Sequence, residues 1–241
     1  MPSPYRSASR WAAVVRWSFI AIACVICVAL VDAGLFVAIT WRRANGLSTP
    51  DWIVSVFRIA LLCRTLALPL LLLTTYVVLP VWCFRAHRNL PSLGIERPKF
   101  GPWTAALCYF IPIANFFWPV LTMRQLWHGS DPSSFATPSG YYGRLQQQKP
   151  KTPAVIWCWW ASFLVFNLLL NAEPARIAAM ERPFYAPSWY AAGTLLALAW
   201  MVGLGSAVLM TKIVRRIDEF QRQRRAAMLS LCMAQSRRAP S

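Results

Sequence analysis

The chain has 241 residues, 57% of them hydrophobic and only 14% charged, with a mean hydropathy of +0.43 and a formal net charge of +17. A soluble domain carries about a quarter charged residues, so this composition excludes an ordinary soluble domain, and the length allows one domain or at most two. The positive charge does not point to nucleic acid, because every Lys and Arg lies outside five apolar stretches, where topology signals and anionic-lipid contacts belong.

Those stretches are Ser18–Trp41, Leu66–Phe84, Pro102–Met123, Thr152–Ala172 and Tyr185–Thr211. A span needs roughly 20 consecutive apolar residues, whereas barrel strands would read as alternating segments of about ten. The expected fold is therefore an all-α integral membrane bundle of five apolar segments. It divides into a basic N-terminal tail (1–17), a membrane domain (18–211) and a basic amphipathic C-terminal tail (212–241).

The N-terminal tail carries Arg6, Arg10 and Arg16 before a run of 24 residues. A signal peptide has a shorter apolar region of about 7–15 residues and a small-residue cleavage site, so an uncleaved first helix is expected. Cys24 and Cys27 form a CxxC within this run. A zinc site would need two further ligands, and no second CxxC or nearby His accompanies it. Asp32 is the single charged residue inside an apolar stretch. An intramembrane carboxylate costs roughly 2.5–3.5 kcal/mol on insertion scales and by default marks an interior position or a pathway. Its candidate partners are Arg64, Asn115, Asn167 and Asn171.

Trp41 with Arg42 and Arg43 is an interface anchor that ends the first helix. "NGLSTPDW" then supplies a loop and a helix start, with Ser48 or Thr49 as N-cap and Pro50 and Asp51 in the first turn. From Asp51 to Leu62 the pattern is that of an interfacial turn or two leading into the second span. Arg85, His87 and Arg88 suit the C-terminus of that span, where cations meet the negative end of the helix dipole, and Pro91 and Gly94 stop it.

Segment three contains "YFIPIANFFWP". Pro112 and Pro119 each remove a backbone donor and disturb a straight helix, while Pro102, Trp103, Trp118 and Trp127 suit a segment held near the interface. If this segment enters and leaves on one side, 19 Lys and Arg lie inside and 6 outside, with both termini cytoplasmic; if all five segments cross, the division is 16 and 9. The first count fits the positive-inside tendency better. The expectation is four spans plus one re-entrant or interfacial segment, with five spans as the alternative.

The last segment carries Ala199, Gly203 and Ala207 at four-residue spacing, a small-residue face for close helix packing. The tail continues helically, with Ile213, Ile217 and Phe220 on one face and basic residues around them. Arg215, Arg216, Arg222, Arg224 and Arg225 are the expected contacts to anionic lipids.

"WCFRAHRNLPSLG", "FGPWTAALCYFIPIANFFWP" and "TMRQLWHGSDP" together resemble a bacterial membrane family known as domain of unknown function 4328. The residues that carry the resemblance are Arg85, Asn89, Leu93-Gly94, Pro102-Trp103, Pro112, Asn115, Pro119, Arg124, Trp127 and Ser130-Asp131-Pro132, within 82–132. The resemblance implies a multi-helix membrane protein and no established activity.

Catalytic chemistry is poorly provided for. The two histidines, His87 and His128, flank apolar segments, and neither an HExxH zinc pattern nor a phosphate-binding Walker loop occurs. No catalytic residue, metal or cofactor is expected. Two functions remain. The first is a non-catalytic inner-membrane protein whose basic cytoplasmic faces hold lipid or a membrane partner. The second is a small transporter or channel subunit, assembled as a homo-oligomer, with Asp32, Asn115 and Asn167 lining a polar path.

Overall fold

A computed structural model describes residues 5–95, 98–134, 152–171 and 186–238. The connections after segments three and four, 135–151 and 172–185, lie outside the described residues, as does the side chain of Asn171.

All regular structure among the described residues is helical. Helix α1 (Ser9–Ala44) contains the first apolar run and ends on Arg42 and Arg43, one of which, Arg42, donates to the Ser48 carbonyl. Helix α2 (Asp51–Arg88) starts directly after Pro50. It continues without a break through the stretch expected to form a separate interfacial lead-in, so Arg64 sits on the same continuous helix as the second apolar run. Pro69 and Pro80 do not interrupt it. A 3-10 turn at Pro91–Leu93 and Gly94, at φ 86°, end this stretch as expected. The left-handed φ is one that glycine adopts without steric cost.

Segment three is not one helix. It is divided into α3 (Pro102–Leu107), α4 (Pro112–Asn115) and α5 (Trp118–Ser130). Each starts with proline in its first turn, where the missing N–H costs nothing. Helix α6 (Ala154–Asn171) is the fourth apolar segment, and α7 (Ala186–Arg238) joins the fifth to the tail in one helix.

Among the described residues three helices are long and apolar enough to cross a membrane: α1, α2 and the 188–230 part of α7. Ala154–Leu170 is a shorter apolar helix. The five expected segments thus resolve into three long helices, one shorter apolar helix, and a third segment broken at its prolines.

The chain forms two compact units, each discontinuous in sequence. One comprises 1–16, 76–157 and 212–241; the other comprises 17–75 and 158–211. In the second, Ile22, Ile26, Ala29 and Ala33 of α1 form a core with Leu68 of α2 and Leu196, Trp200 and Ala207 of α7. The small-residue face of α7 is used as its spacing predicts. Ala199 and Ala207 are buried, and a Cβ on Gly203 would meet the Phe166 ring of α6 at 2.6 Å.

In the first unit Trp82, Leu90, Leu93, Met123, Leu126, Ile213 and Ile217 are fully buried. The apolar face of the tail is therefore covered by protein. Phe220 meets Trp127 edge-on at 5.4 Å, and Leu90 fills the space beside Gly129, where a Cβ would lie 2.8 Å away.

Candidate functional site

The carboxylate singled out in the first apolar run finds a cation. In the 17–75/158–211 unit, Asp32 Oδ2 lies 3.3 Å from Arg64 Nε, and the two residues are 2% and 9% exposed. Their placement follows from helix geometry. Asp32 lies beside Ala29 and Ala33, and Arg64 lies one turn before Leu68, all three of them core residues. The guanidinium also stands 5.5 Å from the centre of the Trp200 ring on α7, within cation–π reach.

The two asparagines grouped with Asp32 make local hydrogen bonds. Asn167 is exposed on α6 and its Nδ2 donates to the Phe163 carbonyl at 2.7 Å. Asn115 is half-buried at the end of α4, in the other unit, with its backbone N–H donating to the Ile111 carbonyl at 2.8 Å. The partner shown for Asp32 is Arg64, the one candidate that carries charge.

The 1–16/76–157/212–241 unit holds a buried polar network. Asn89, just past the end of α2, binds both backbone groups of Arg6: its Oδ1 accepts from the Arg6 N–H at 3.2 Å and its Nδ2 donates to the Arg6 carbonyl at 2.8 Å. The same Nδ2 lies 3.4 Å from Gln221 Oε1 on the tail. Gln221 Nε2 in turn donates to the Ala86 carbonyl at 3.1 Å and to Ser130 Oγ at 3.2 Å. Both side chains are about 2% exposed, so each needs these partners. Nearby, Gln125 pairs with both backbone groups of Phe100, at 2.8 and 2.9 Å.

Arg224 belongs to this buried region, which corrects its assignment to lipid. It is 3% exposed, with Nε donating to the Leu93 carbonyl at 2.7 Å and Nη1 to the Asp131 carbonyl at 3.1 Å. Arg215 and Arg216 both pair with Glu219, at 2.9 and 3.6 Å, and Arg222 pairs with Asp218 at 3.3 Å. Arg225 is exposed and stands 4.3 Å over the Tyr5 ring. Burial pushes the Tyr5 phenol above its ordinary value, with Arg225 pulling the other way.

His128 Nε2 lies 3.3 Å from Thr152 Oγ1. Partial burial and then Arg124 lower its pKa, while Asp131 opposes them. Among the described residues no group of three or more His, Cys, Asp or Glu side chains is arranged to hold a metal. Cys24 and Cys27 are exposed on α1.

Asn89, Ser130 and Asp131 of the network belong to the motifs "FRAHRNLPSLG" and "HGSDP". Gln221 carried no such signal: it is one neutral polar residue among arginines.

The model of a family described as a domain of unknown function, DUF4328, matches residues 47–219. The match covers most of the chain and extends well beyond the 82–132 core on which the resemblance was recognised, so the chain belongs to this family. No curated protein and no solved structure matches it significantly.

Proposed function

We propose that the protein is a non-catalytic, multi-pass protein of the bacterial inner membrane. Its arginine-rich cytoplasmic unit holds anionic lipid or a membrane partner. In this proposal α1, α2, α6 and the apolar part of α7 cross the bilayer. Segment three enters and leaves on the cytoplasmic side, and both termini are cytoplasmic.

The observation that carries this topology is the Asn89–Gln221 network. It joins the N-terminal tail (Arg6), the connection after α2 (Asn89), the end of segment three (Ser130) and the C-terminal tail (Gln221) by hydrogen bonds within one unit. Groups that bond to one another share a side of the membrane. Five crossing segments would put Asn89 and Ser130 on opposite sides. The broken backbone supports the same topology, because straight crossing requires internally satisfied helix. So does the outer surface of the break: Phe110, Ile111, Ile113, Phe116 and Phe117 are about 50–80% exposed, an apolar surface suited to one leaflet.

The pairing of Asp32 with Arg64 weighs against a transport path through Asp32. Reporter fusions test the topology. Fusions after Gln147 and after Ser241 are expected to report cytoplasm, and one after Ala44 the outside. An outside signal at Gln147 with the tail inside would overturn the proposal.

A further inference from the structure

The tail was the obvious basic surface, yet four of its eight basic residues already have partners within the protein. Arg215, Arg216 and Arg222 are ion-paired on their own helix, and Arg224 is buried against carbonyls. A different set of arginines in the same unit is exposed: Arg6, Arg10, Arg85 and Arg88. Among the described residues no acidic side chain pairs with any of them or with Arg225.

The network draws these residues together. Asn89, next to Arg88 in sequence, binds both backbone groups of Arg6. The Arg85 guanidinium stands 5.2 Å over the Trp11 ring, next to Arg10 in sequence. Tyr5, preceding Arg6, seats Arg225.

We infer that Arg6, Arg10, Arg85, Arg88 and Arg225 form the protein's binding surface for anionic phospholipid headgroups. The inference rests on the proposal that this unit lies at the cytoplasmic membrane surface, and it names the site. Two features favour lipid over a soluble acidic partner. Arg85 directly follows the last residue of an apolar run, which places it at headgroup level. Phe84, that last residue, packs on Trp103 with ring centres 4.7 Å apart, and Trp103 is 67% exposed. An exposed tryptophan beside unpaired cations is the composition of a membrane interface. Guanidinium groups with no carboxylate partner in the chain can pair bidentately with phosphate as with carboxylate oxygens, so the membrane-interface position decides between them.

The test uses the full chain in mild detergent, mixed with equal amounts of phosphatidylglycerol and phosphatidylcholine. Native mass spectrometry then counts the lipid retained. The parent is expected to retain phosphatidylglycerol preferentially. A variant combining R6Q, R10Q, R85Q and R88Q should lose that preference, whereas one combining R215Q, R216Q and R222Q should keep it. Each arginine neutralised in the patch is expected to weaken binding about fivefold. If the four-fold variant does not fold, as judged by its melting curve, R10Q and R88Q singly carry the test. Patch variants that retain phosphatidylglycerol as the parent does would overturn the inference and leave the patch to an acidic protein partner. Loss only in the tail variant would overturn it while preserving the lipid proposal. A parent with no preference between the lipids would overturn the patch and the lipid proposal together.

Discussion

Removing one member of the Asp32–Arg64 pair leaves the other charged and buried. At the observed 3.3 Å the attraction is about 5 kcal/mol for an effective dielectric of about 20, and desolvation of both groups offsets part of it. Breaking a buried pair by deleting one partner costs about 3–5 kcal/mol, while replacing both by apolar residues of similar volume is often neutral. Asp32→Leu and Arg64→Leu should therefore each destabilise the protein by about 3 kcal/mol or more. The double variant should be more stable than either single one. Asp32→Asn keeps hydrogen-bonding capacity and should fall between Asp32→Leu and the parent. Reversible unfolding in detergent, followed by circular dichroism across a denaturant series, measures all four, and the double-mutant cycle isolates the pairwise energy. If the two leucine substitutions add without coupling, or if Asp32→Leu is as stable as the parent, the pair does not hold this unit together.

Two further outcomes are expected. Gly203→Val drives a branched side chain into the Phe166 ring, where a Cβ alone would stand at 2.6 Å; overpacking of this kind costs about 1–3 kcal/mol. Phe166→Ala in the same background should recover part of the loss, and a Gly203→Val protein with the parent's unfolding midpoint would contradict the packing. His128 has a pKa lowered from 6.5 in the folded protein, so the unfolded chain binds its proton first as pH falls. Its contribution to stability is full above pH 6.5 and is lost as pH drops through the lowered folded value. His128→Gln should accordingly flatten the fall in melting temperature between pH 7.5 and pH 5, and an unchanged slope would refute the assignment.

The helices themselves were legible because long apolar runs and their proline, glycine and arginine boundaries are local signals. Pro91 and Gly94 ended α2 where expected, and Pro112 and Pro119 marked the breaks of segment three. The small-residue spacing at Ala199, Gly203 and Ala207 likewise identified a packing face before its neighbour Phe166 was known. What periodicity cannot supply is the identity of the covering element. The tail's amphipathic pattern is real, but Ile213 and Ile217 face protein. Arg224 lies on that same covered side, where two carbonyls replace water or lipid. Arg64 stood among four candidates for Asp32 because its register depends on α2 running unbroken from Asp51. A lead-in separated from the span would not fix that register.

The clamp of Asn89 on Arg6, and of Gln221 on Ala86 and Ser130, has a consequence for the order of events during synthesis. These bonds join residues 83, 135 and 91 positions apart, and the unit they close includes the tail part of α7. At about 5–20 residues per second, the tail emerges many seconds after Arg6, and in that interval Asn89 and Ser130 lack their tail partner. A message truncated before Gln221 would yield a chain that inserts its first helices yet never seals this unit. Asn89 and Ser130 would lack their Gln221 partner, and the Leu93 carbonyl would lack Arg224. Closure of this unit therefore waits for Gln221 and Arg224.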